Sequence, residues 1–92
     1  MTSMHGRFHP CPDVLATRAG EEVVLVDLKT DRIYSLNRTA ARAWELLSAD
    51  CDRAEVERRM LQEFDVTPAE LTEAIDGLVL SLTRDGLLVR GE

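Results

Sequence analysis

Leu25-Val26-Asp27-Leu28-Lys29-Thr30-Asp31-Arg32-Ile33-Tyr34-Ser35-Leu36-Asn37 runs straight into Arg38-Thr39-Ala40-Ala41-Arg42-Ala43-Trp44-Glu45-Leu46-Leu47, and this stretch decides the fold. Val23 to Leu28 is apolar and β-branched, Lys29-Thr30-Asp31 is turn chemistry, and Arg32 to Leu36 resumes as a short alternating strand. Asn37 then stops it. An Asn side chain accepts a hydrogen bond from a backbone N–H two or three residues on, so Asn37 is the expected N-cap of a helix over Arg38 to Leu47. Ala40, Trp44 and Leu47 share one face of that helix, which makes Trp44 a core residue.

Upstream, Val14 to Arg18 reads as a strand, Ala19-Gly20-Glu21 as a turn and Glu22 to Leu28 as a second strand, giving a three-stranded antiparallel meander with Arg32 to Leu36 last. Downstream, Ser48 to Asp52 is a loop. Asp52 with Glu55 has the spacing of a capping box for a second helix ending near Phe64, with Val56, Met60, Leu61 and Phe64 at helical spacing. Thr67, Pro68 and Glu70 supply the cap, first-turn proline and box glutamate of a third helix over Pro68 to Asp85, which Gly86 ends. Leu87-Leu88-Val89 is a short extended tail. The fold class is therefore α+β: a three-stranded antiparallel sheet followed by three helices.

The 92 residues make one domain, residues 13–92, preceded by residues 1–12, where Gly6 and two prolines break any periodicity and predict a flexible segment. Hydrophobic residues are 45% of the chain but aromatics only 4%, so the core is built mainly of Leu, Val and Ala. No apolar run is long enough to span a bilayer and no signal region follows the N-terminus, so a cytoplasmic location is expected. Cys11 and Cys51 lie far apart without a Cys-x-x-Cys spacing, and reduced thiols are expected. His5, His9 and Cys11 cluster on the flexible segment without a fourth ligand, which is chance composition rather than a metal site.

Catalysis finds no support. Both histidines lie in the N-terminal segment, and no nucleophile elbow, Cys/His pair or glycine-rich phosphate loop falls on an ordered element. The acidic and basic residues of the second helix, Glu55, Glu57, Arg58, Arg59 and Glu63, alternate as a solvated face does. Neither enzyme activity, a cofactor nor a metal is expected.

On a helical wheel, Leu71, Ala74, Ile75, Leu78 and Leu82 form one stripe of the third helix, the face that packs on the core. Val79 and Leu80 lie to one side, in a sector with Thr72, Asp76 and Thr83. That sector either holds one exposed leucine of no consequence or walls a groove beside the third strand. A peptide site needs unpaired backbone groups and an apolar wall. The Arg32 to Leu36 strand, proline-free and at the edge unless the tail pairs with it, supplies the first.

Tyr34-Ser35-Leu36-Asn37, the Ala40 to Leu47 helix ending in Trp-Glu-Leu-Leu, and Asp85-Gly86-Leu87-Leu88 together resemble the PqqD-like family, over roughly residues 14 to 90. The resemblance implies a winged-helix-like fold and a precursor-peptide recognition element, most like the stand-alone leader-binding subunits of split lasso-peptide systems. It implies a leader peptide held as an added strand between the third strand and third helix, on Arg32, Ile33, Tyr34, Ser35, Leu36, Asp76, Val79, Leu80 and Thr83. It implies a leader-cleaving cysteine protease and a cyclase as partners. Leu80 departs from the family pattern, where a polar residue is commoner, and this points to a second contact surface.

Two other readings share the outline: a winged-helix DNA-binding regulator, and an assembly domain dimerising through its edge strand. The net charge of −6 argues against the first. Glu70, Glu73, Asp76 and Asp85 against Arg84 give the third helix −3, and Asp52, Glu55, Glu57 and Glu63 against Arg53, Arg58 and Arg59 give the second −1. A recognition helix needs the opposite sign. The dimer reading stays open at this level.

Overall fold

The computed structural model describes residues 7–49 and 51–91. Elements run β1 (Arg7–Pro10), β2 (Val14–Ala19), β3 (Glu22–Asp27), β4 (Arg32–Leu36), α1 (Arg38–Ser48), α2 (Arg53–Glu63), α3 (Pro68–Arg84) and β5 (Leu88–Gly91). β2, β3 and β4 form an antiparallel sheet in that order, and β1 pairs with β5 in a second, two-stranded sheet.

Local chemistry accounts for each junction. Gly20 has φ of +68° at the first position of the two-residue β2–β3 turn, as a tight primed hairpin requires. The four-residue β3–β4 loop closes with the Asp31 amide donating to the Asp27 carbonyl at 2.7 Å and Asp31 itself at φ +60°, a conformation Asp tolerates better than most residues. Asn37 caps α1, accepting from the Ala40 amide at 2.9 Å. The Thr67–Glu70 box is closed in both directions, with Pro68 in the first turn. α3 ends as the chain reverses at Gly86 (φ +79°), where the Leu87 amide donates to the Leu82 carbonyl and the Gly86 amide to Thr83, a Schellman closure.

The second helix departs from its expected box. Asp52 does cap it, accepting from the Glu55 amide at 2.9 Å. The Glu55 carboxylate, however, turns outward to Arg59 at 3.1 Å and Arg58 at 3.7 Å, since a cation one turn on competes with the cap amide.

One core joins sheet and helices. Leu25, Leu47, Val56, Met60, Leu71, Ile75 and Leu87 are its most enclosed side chains, and Trp44 is buried on α1 as its spacing predicts. On α3, Leu71, Ile75 and Leu82 are buried, Leu78 is half-buried and Ala74 is exposed, so the core stripe is narrower than the wheel suggests. Full burial of one leucine is worth about 1.5–3 kcal/mol, enough for this handful to fix the helix orientations.

The N-terminal segment needs correction. Residues 1–6 and the ligand candidate His5 lie outside the described residues, but Arg7–Pro10 is a strand rather than a flexible lead-in. It pairs with the tail in the register Phe8↔Arg90 and His9↔Val89, and Phe8 is buried in the core. A single apolar residue among prolines and polar residues gave no periodicity to read; its partner strand lies some eighty positions away. Cys11 and Cys51 are both free thiols, and among the described residues no three potential metal ligands come together.

Candidate functional site

The β2–β3 turn fixes which backbone groups are free. In a two-residue hairpin the flanking residues, here Ala19 and Glu22, exchange both backbone bonds, and pairing alternates from there. Glu22, Val24 and Val26 therefore direct their amides and carbonyls to β2. Val23, Leu25 and Asp27 direct theirs to β4, where their register partners are Leu36, Tyr34 and Arg32. That leaves Ile33 and Ser35 with N–H and C=O pointing away from the sheet. No strand of the described residues covers this side, because the tail pairs with β1 instead. The edge is open.

The alternation also sorts the side chains. Leu36 is buried and Tyr34 half-buried on the core face. Ile33, 68% exposed, stands on the outer face in register with Val26 and Leu15.

β4 comes near α3 at the two ends of the strand. Where the strand ends, Asn37, Thr39 and Ala40 line a cavity of about 250 Å³ with Ala74, Ile75 and Leu78 of α3, floored by Ala43 and Met60. At its other end, Tyr34 first, then Asp85 and Asp27, hold the Arg32 guanidinium above its ordinary pKa, which places Arg32 in the field of the residue capping α3. On the same flank of α3 as Ala74 and Leu78, helical spacing adds Ser81, and next round the helix a Cβ on Gly77 would meet nothing within 4 Å.

Asp76, Val79, Leu80 and Thr83 lie on the other flank. With Phe8, Arg53 and Arg90 they line a separate cavity of about 460 Å³. Asp76 accepts from Arg53 at 2.5 Å, and the Thr83 hydroxyl donates to the Val79 carbonyl at 2.6 Å. Val79 stands about 140° round the helix from Ala74, at 100° per residue. The strand residues and the helix sector named from the sequence are thus not brought into one groove. Ala74 and Leu78, which the helical wheel assigns to the core stripe, line the cavity at the end of β4 instead, and their signal in the sequence is faint.

Several charges elsewhere pair internally. Arg42 grips Glu63 in a bidentate pair at 2.7 and 2.9 Å, and that guanidinium holds the Glu63 carboxyl below its usual value. Arg53 bonds Glu57 at 2.9 Å as well as Asp76, and Arg18 pairs with Glu45. Together with the Arg58 and Arg59 pairs to Glu55, this leaves no arginine of α2 unpaired for a phosphate backbone.

The fold superposes on a solved structure described as TbiB1 in complex with the TbiA(beta) leader peptide, with TM-score 0.82, 22% identity, and coverage of 87% of this chain and 93% of that one. It superposes equally on lasso peptide synthetase B1 complexed with the leader peptide, with TM-score 0.82, 25% identity, and coverage of 90% and 98%. A search of curated proteins finds no significant relative. Residues 22–88, from the start of β3 to the first residue of β5, match the family described as Coenzyme PQQ synthesis protein D, and the chain belongs to this PqqD family.

Proposed function

We propose that this protein is a non-catalytic recognition domain that takes the leader region of a ribosomally made precursor peptide as an added strand along β4. The observation that carries the reading is the open edge at Ile33 and Ser35, set beside the apolar cavity of Ala40, Ala74 and Leu78. Strand addition uses those two features together: edge groups bond the guest backbone, and a neighbouring pocket selects alternate guest side chains. A cavity of about 250 Å³ suits one or two aliphatic side chains.

The two superposed structures are both complexes with leader peptides, which supports the same guest here. In this reading the product class is a lasso peptide, and the proteins served are a leader-cleaving cysteine protease and a cyclase. The arrangement is read as winged-helix-like, with the β2–β3 hairpin as the wing, but turned to peptide rather than DNA. In this reading Arg32, Ile33, Tyr34, Ser35 and Leu36 hold the guest strand, and Ala74, Leu78 and Ser81 serve as the helix wall in place of Asp76, Val79, Leu80 and Thr83.

Amide hydrogen exchange with and without a synthetic lasso-precursor leader peptide tests the reading. Slowed exchange at Ile33 and Ser35 is expected, with Tyr34 and Leu36, already paired to β3, changing little. Unchanged exchange at Ile33 and Ser35 under saturating leader rejects it.

A further inference from the structure

The larger cavity, on the flank of α3 turned away from β4, is not used by strand addition, and its composition is specific. Phe8 from β1 forms an apolar floor, and Val79 with Leu80, 66% exposed, forms one wall. Arg90 from β5 crosses above, its guanidinium carbon 5.9 Å from the Phe8 ring centroid. The two other charges at the rim cancel, because Arg53 holds Asp76 at 2.5 Å. Arg90, like Arg32, has no carboxylate within ion-pair distance among the described residues, whereas Arg18, Arg38, Arg42, Arg53, Arg58, Arg59 and Arg84 each have one. Among the described residues the lining therefore carries one positive charge without an ion-pair partner beside an apolar wall, on a chain whose net charge is −6.

A guanidinium held over an aromatic ring keeps its N–H edge free for a carboxylate while the ring's surroundings take an aliphatic group. We propose that this cavity is a second peptide-docking site, for a protein partner that presents an apolar side chain next to an acidic one. It is independent of the β4 edge. Both sites can be filled at once because α3 separates them, so a partner bound here would sit one helix away from the guest strand.

The test uses the full chain, isotope-labelled, titrated at low salt with three blocked hexapeptides that differ only at a central pair: Leu-Glu, Leu-Lys and Ser-Glu. The Leu-Glu peptide is expected to shift the amides of Phe8, Val79, Leu80 and Arg90 saturably, leaving Ile33 and Ser35 in place. Leu-Lys is expected to bind several-fold more weakly, about fivefold being the reach of one exposed ion pair. Arg90→Gln should erase the preference for Glu over Lys. Leu80→Ser should abolish saturable binding with an unchanged melting temperature, since Leu80 contributes little to the core. Equal affinity for Leu-Glu and Leu-Lys, equal affinity for Leu-Glu and Ser-Glu, or shifts centred on β4 would each overturn the proposal. The β4 reading is scored separately, by exchange at Ile33 and Ser35.

Discussion

Ser35→Pro probes the open edge through the parity of β4. Proline deletes the residue-35 N–H and places a ring on the strand's outer side, yet that N–H serves no bond to β3 in the free protein. Proline is tolerated at such edge positions, and the extended Tyr34 before it is already in the region a pre-proline residue prefers. Ser35 is exposed, so no packing is lost. The cost therefore falls on the guest. Its carbonyl opposite residue 35 loses its donor and stays desolvated in the groove, worth about 1–3 kcal/mol, or roughly 5-fold to 150-fold in Kd. Tyr34→Pro is the matched control. Its N–H is directed at Leu25, so this substitution breaks the β3–β4 ladder and lowers the melting temperature instead. Isothermal titration with a synthetic leader, beside thermal melts of both variants, gives the answer. Full leader affinity in a folded Ser35→Pro protein would refute strand addition at β4, and equal loss of melting temperature in both variants would refute the parity assignment.

Gly77→Ala should raise stability by about 0.5–1 kcal/mol, since the helix accepts Ala and the new Cβ meets open space, which for a domain of this size shifts the melting temperature upward by several degrees. Ala74→Trp should leave the melting temperature nearly unchanged, because Ala74 is exposed, while filling the cavity beside β4 and weakening leader binding at least tenfold by titration. Trp44→Ala should cost about 3–5 kcal/mol in denaturant unfolding, the ring being 4% exposed. Glu63→Gln should cost less than about 1 kcal/mol at neutral pH, as expected for a surface pair. Because Arg42 lowers the Glu63 pKa in the folded state, the wild-type advantage is present above the ordinary carboxylate value near 4.5 and vanishes as pH falls through the lower folded value. Urea melts of both proteins from neutral pH down to acid check the sign.

The hairpin, the three caps and the buried Trp44 were legible because each rests on chemistry within four residues: Asn37 to Ala40, Asp52 to Glu55, Thr67 to Glu70. β4 was legible to the residue for the same reason. What failed depends on contacts distant in sequence. Phe8 becomes a core residue only because the tail returns to pair with β1, and nothing near it announces a strand. That pairing in turn leaves β4 without a second partner strand among the described residues, so the open edge, conditional in the sequence, depends on residues 88–91. Which flank of α3 walls the strand is harder to read. A wheel separates core from solvent but does not say which exposed flank faces the sheet, so Val79 and Leu80 stand out ahead of the small residues Ala74, Gly77 and Ser81.

An unpaired strand is also a hazard to the molecule that carries it. Proteins commonly blunt such edges with lysine, proline or a bulge. β4 has none of these devices, only Arg32 at one end, and it adjoins an outer sheet face where Leu15 and Ile33 stand more than half exposed. Molecules without a guest can therefore meet edge to edge, each offering the other the strand it lacks. In a crowded, concentrated preparation the free form should be the sticky one and the peptide-loaded form the soluble one. Supplying the peptide early, during expression, would thus act as a solubilising partner, and retaining an unblunted edge would be the molecule's concession to keeping its docking surface available.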